Sequence, residues 1–207
     1  MDMKKMRQQI IKELEEQQTI NSLYECIQNL YSSEKETPEQ VFKNPTSLKV
    51  FSFEDFVEEG LNSFIKLSIA EGADSLFWLP ANDWIDFNQY VKIDLSCVSE
   101  TLYDDIRTKW HKGNFGLFTE YGCIFNEKKK WVVQISEELE LVVMGIFQDA
   151  ELAINGFQLE AYTKERFLEE YENFPEDYLN LSYKAAEKDA QIINEAVVYP
   201  MIKNYFD

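Results

Sequence analysis

One imidazole, three thiols and a surplus of carboxylates are the side chains here whose types could do chemistry. His111 stands in Trp110-His111-Lys112-Gly113, where a helix is expected to end. A cationic His at that place interacts favourably with the helix dipole. Paired with Cys97 or Cys123, it is the nucleophile–base combination that the composition allows, but nothing local supports the pairing. The Gly-x-Ser-x-Gly nucleophile motif is missing. Cys26, Cys97 and Cys123 are far apart, odd in number and form no CxxC pair. Reduced, mostly buried thiols are therefore expected, and a zinc site is not, because paired ligand spacing is lacking. Phosphate-binding glycine loops and the acidic calcium loop are absent as sequence patterns. These observations assign no catalytic residue, no metal ligand and no cofactor.

Carboxylates remain. Asp104-Asp105, Glu137-Glu138 and Glu169-Glu170 are adjacent pairs of the type that glycosidases and metal-dependent hydrolases use. Neighbours on a helix point about 100° apart and neighbours on a strand face opposite sides, so adjacency does not focus them. An enzyme working through such pairs is the alternative reading. The stronger signal is regional. From Glu137 to Asp177 there are twelve acidic residues against only Lys164 and Arg166, which puts more than half of the net charge of -18 in about a fifth of the chain. Glu165, Glu169 and Glu172 fall at i, i+4 and i+7 and share one helical face, where like charges cost a few tenths of a kcal/mol each. With Glu137, Glu138 and Glu140 they are expected to form a partner-binding surface.

The overall balance, 38 acidic residues against 20 basic, constrains that partner. Such a surface repels nucleic acid and anionic membranes, and it attracts and steers a basic protein. Met1 to Gln18 is charged throughout, without the apolar centre of a signal peptide, and no apolar run approaches the roughly 20 residues that span a bilayer. A cytoplasmic protein is expected.

Stepping outward to the elements that hold these groups, 207 residues with 45% hydrophobic and 14% aromatic composition suffice for one domain with a full core. Met6, Ile10 and Leu14, then Ile20, Leu23, Ile27 and Leu30, predict a helical N-terminal arm over 1–31 with a break near Thr19 to Asn21. Thr37, Pro38 and Gln40 carry the signature of a short capped helix. Leu48 to Phe51 and Ser75 to Leu79 read as short strands, with a helix between them that Ser52 starts and Gly72 stops. Ala81 to Ile93 reads as an irregular turn or short helix, and Ser99 to Trp110 as a helix. Phe115 to Phe125, Lys130 to Ile135 and Leu139 to Phe147, joined by polar turns, predict an antiparallel meander with Trp131, Val133, Ile135, Val142 and Met144 in the core. Gly116, Gly122 and Gly145 mark bulges or close contacts in it. Thr163 caps a helix through Asn173, and a last helix from about Glu176 is kinked or ended by Pro200. The expected architecture is a single α+β domain over 1–207, with a central antiparallel sheet flanked by N-terminal and C-terminal helices.

The run EYGCIFNE from Glu120 and the run KWVVQISEE from Lys130 resemble the central hairpin of small acidic immunity proteins of bacterial polymorphic toxin systems. Phage-encoded inhibitors of bacterial defence systems share the same look. The resemblance implies a cytoplasmic, cofactor-free inhibitor that blocks a toxin, nuclease or defence protein by direct contact, with a DNA mimic as a variant. It carries over no functional residue.

Overall fold

The structure is a computed structural model and describes residues 18–32, 34–80, 90–97, 122–136, 139–148, 157–171 and 191–207. In chain order these form helix α1 (18–27), strand β1 (Ser47–Ser52), helix α2, strands β2 (Ser75–Pro80), β3 (Val91–Asp94), β4 (Gly122–Asn126), β5 (Trp131–Ser136) and β6 (Leu141–Ile146), and helices α3 (Lys164–Tyr171) and α4 (191–206). Helix α2 is continuous from Phe53 to Ala70 but widens into π-helical turns at Phe56–Gly60. Helix α4 does so at Asn194–Val198 and Ile202–Phe206.

The six strands make one sheet in the order β1-β6-β5-β4-β2-β3, with every pairing antiparallel. The expected α+β architecture is observed. Strands β4, β5 and β6 are the meander, and they are buried along their whole length because both faces of the sheet are covered. On one face Trp131, Val133, Ile135, Val142 and Met144 meet Phe56, Phe64 and Leu67 of α2. All five strand residues are fully buried. On the other face Val132, Val143 and Phe125 meet Ile27 of α1, Phe167 and Tyr171 of α3, and Met201 and Tyr205 of α4. The arm therefore packs on its own domain through Ile20 and Ile27. Gly72, at φ 70, stops α2 as expected. The buried Asn126 ties that helix end to the β4–β5 turn, donating to Ser68 Oγ (3.1 Å) and Glu71 Oε2 (2.8 Å) and accepting from the Lys128 amide (2.9 Å).

Four local expectations are corrected. Thr19 to Asn21 lies inside α1 without a break. Thr37 and Pro38 form a turn with a cis peptide bond in place of a capped helix. There the Thr37 hydroxyl donates to Gln134 Oε1 at 2.6 Å and the Gln40 amide to the Asn204 carbonyl at 2.6 Å, so tertiary partners take the groups a cap would use. Val91 to Asp94 is a strand, because Leu76 and its neighbours in β2 supply a ladder for it. Helix α4 continues past Pro200 to Phe206. The expected helix over Ser99 to Trp110, the first part of the arm, and residues 115–121 of the first meander strand lie outside the described residues.

Candidate functional site

Three chain segments that are distant in sequence meet at one end of the sheet. Ser52 leaves β1 with extended backbone (φ -65°, ψ 140°), and its side chain accepts the Glu54 amide at 3.2 Å, capping α2. Glu54 and Glu58 follow one turn apart, and Glu54 is favoured in the first turn by the helix dipole. The β5–β6 turn brings Glu140, whose carbonyl accepts the Phe53 amide at 2.9 Å. Helix α3 supplies Glu170 and Tyr171. Its start is fixed by Thr163, whose hydroxyl oxygen accepts the Arg166 amide at 3.2 Å. Its buried face, Phe167 stacked on Tyr171 with centroids 4.5 Å apart, locks it to the sheet. The Tyr171 hydroxyl donates to the Leu139 carbonyl at 3.0 Å and so joins α3 to the same turn.

Between these segments is a cleft of about 420 Å³. Its rim carries four carboxylates, Glu54, Glu58, Glu140 and Glu170, and its floor is Phe53, Val57 and Tyr171, with neither Lys nor Arg among the described residues that line it. The two bases of the acidic region are engaged elsewhere: Lys164 pairs with Asp207 at 2.5 Å and Arg166 with Glu160 at 3.5 Å. A second cavity, of about 290 Å³, lies beside α1 and mixes Glu25 and Glu34 with Lys43, so one of its two carboxylates is balanced. The first cleft has no such balance.

Hydroxyl groups beside the cleft are neutral donors. Burial first, and then the hydrogen bond to and charge of Glu170, raise the Tyr162 hydroxyl above its ordinary range. Burial, and then the neighbouring Tyr162, Glu170 and Glu140, do the same to Tyr171. Tyr162 donates to Glu170 Oε1 at 2.6 Å. Among the described residues no three His, Cys, Asp or Glu side chains converge closely enough to hold a metal ion. The cleft can therefore attract a cation by charge and cover its alkyl part with the floor.

Of the six expected surface residues, Glu140 is on the rim of this cleft. Glu165 and Glu169 are exposed on the outer side of α3, almost opposite Phe167 and Tyr171 at about 100° per residue. The structure does not bring them to the cleft. Glu137, Glu138 and Glu172 lie outside the described residues, as do His111, Asp104 and Asp105. Cys26 is exposed. Cys123 is fully buried, and burial pushes its thiol up to about 12, which suits packing and not nucleophilic attack. Sequence reasoning missed Glu54 and Glu58. Their i, i+4 spacing directly after a capping serine was the available signal. Glu170 was visible only as half of an adjacent pair.

No family model matches the chain, and neither a curated protein nor a solved structure matches it. Among the described residues no helix is long and apolar enough to cross a membrane.

Proposed function

We propose that the chain is a non-catalytic acidic binding protein that inhibits a macromolecular target by direct contact, of the toxin-immunity or phage anti-defence type. The target presents a Lys or Arg side chain to the cleft at the end of the sheet. The observation that carries this reading is the rim of four glutamates around an apolar floor, with no base among the described residues that line it. A long basic side chain has the matching anatomy, an alkyl stem with a charged head. The net charge of -18 adds long-range attraction to a basic surface.

Calorimetry with a hexalysine peptide at low and high ionic strength tests the reading. Wild type is expected to bind, more tightly at low salt. A triple E54Q/E140Q/E170Q variant is expected to lose most of that affinity. Equal binding by the two proteins would remove the cleft as the site.

A further inference from the structure

Arg166 and Glu170 are one turn apart on α3, the spacing at which oppositely charged side chains normally pair on a helix. Such a pair would neutralise one quarter of the cleft rim. It does not form. The Arg166 guanidinium lies over the ring of Tyr162, 5.0 Å from the centroid, and its Nη1 is 3.5 Å from Glu160 Oε2. The opposite edge of the same tyrosine handles the acid: its hydroxyl donates to Glu170 Oε1.

Tyr162 is itself closely packed. It is 7% exposed. Its amide donates to the Val50 carbonyl of β1 at 2.8 Å. Phe167 and Tyr171 contact its ring edge-on, with centroids 6.0 Å and 6.3 Å away. An exposed Arg–Glu pair contributes little by itself, so Glu160 alone is a weak tether for Arg166. The aromatic face adds a second attraction from a fixed position.

We propose that Tyr162 is the positioning residue of the cleft: its hydroxyl orients Glu170 on the rim, and its ring face keeps Arg166 from neutralising that glutamate. The proposal rests on the reading of the cleft as a site for a cationic side chain. Tyr162 does not touch the guest. It sets how Glu170 is presented to the guest.

The test separates ring from hydroxyl. Hexalysine binding is measured by calorimetry for wild type, Y162F, Y162L and each of these combined with R166Q. Y162F keeps the ring, so it should bind severalfold more weakly through the loss of Glu170 orientation alone, and R166Q should not repair it. Y162L frees Arg166 as well, so it should bind more weakly still, and R166Q should recover the added loss. A Y162F protein that binds like wild type, or a Y162L protein that R166Q does not rescue, overturns the proposal. Should Y162L fail to fold, Y162F decides: it must bind more weakly than wild type, and R166Q must not change that. If wild type does not bind hexalysine, the cleft reading fails, and the positioning claim is decided in the free protein. The effects of R166Q and E170Q on the denaturation midpoint should add in wild type, where coupling would overturn the claim, and stop adding in the Y162L background. Additivity in every background overturns the claim independently of any ligand.

Discussion

The ring of Phe42 fills the space that a side chain at Gly145 would need. A Cβ built on Gly145 would lie 2.6 Å from Phe42 Cγ. The ring has no room to retreat, because Tyr31, Phe147 and Tyr205 surround it at centroid distances of 6.1, 6.3 and 6.4 Å. Gly145→Ala is therefore expected to destabilise by about 1–3 kcal/mol through overpacking, and Phe42→Ala by about 3–5 kcal/mol through a cavity. Urea denaturation of the two variants and of a G145A/F42L double variant checks this. The double variant should be more stable than G145A alone.

Charge reversal at the cleft and on the outer face of α3 should have different kinetic signatures. E54K/E170K alters the rim, where a guest is partly desolvated, and breaking one such pair costs ~2–5 kcal/mol, mostly as faster dissociation. E165K/E169K alters exposed positions and should mainly slow association, with an effect that salt screens. Surface plasmon resonance against an identified basic partner, at two ionic strengths, distinguishes them. A larger loss from E165K/E169K would move the binding surface to the outside of the helix.

Glu140 has a left-handed backbone, with φ 52. That conformation costs a residue with a Cβ roughly 1–2 kcal/mol and costs glycine little. Glu140→Gly should therefore hold or raise the thermal midpoint while it weakens hexalysine binding, because the rim loses a carboxylate. A variant that falls in both properties would show that the Glu140 side chain is structural.

Alkaline pH should unfold the protein. Burial raises the Cys123 thiol from its ordinary 9.0 to about 12. It also raises the hydroxyls of Tyr24, Tyr31, Tyr162, Tyr171 and Tyr205 above their ordinary 10.0. A group whose proton is held more tightly in the folded state contributes its full stability below the unfolded pKa and loses it as pH rises. Stability referable to these groups should be level up to about pH 9, begin to fall as the thiol titrates in the unfolded chain, and fall faster above 10 as the tyrosines join. Denaturant midpoints across that range check it, and C123S should remove the earliest part of the decline. At neutral pH iodoacetamide should modify Cys26 without unfolding and Cys123 only with it.

The meander was legible because its strands are apolar runs cut by polar turns, of which Asn126 and the lysines after it make one. The start and stop of α2 were legible for the same local reason: Ser52 caps and Gly72 reverses. Strand β3 was not. Of its four residues only Ile93 is fully buried, and its pairing depends on β2, thirteen or more residues earlier. Thr37-Pro38 was misread because a cap and a turn use the same residue types, and the partners that decide between them, Gln134 for Thr37 and Asn204 for Gln40, are 97 and 164 positions away. The cleft was half legible. Charge density pointed to Glu140 and α3, but most of the floor and the other rim come from Phe53 to Glu58, and no local pattern links that stretch to position 170.

The clasp between the segment at Pro38 to Val41 and the last turns of α4 also sets the order in which the protein can be made. Asn204 donates to the Pro38 carbonyl at 2.8 Å and Tyr205 to the Glu39 carbonyl at 2.6 Å, across 166 positions of sequence in each case. Both α3 and α4 lie on the sheet face that holds Val132 and Val143. A ribosome that has just added Ile146 has produced all six strands of the described sheet but neither of these helices. At about 5–20 residues per second, the nascent sheet waits roughly 3–12 s before Tyr205 is added. During that interval an apolar face with paired strands stands open to chaperones and to other nascent chains. Slow codons between β6 and α4 would lengthen the exposure, and a stall there would leave a folded half without its lid.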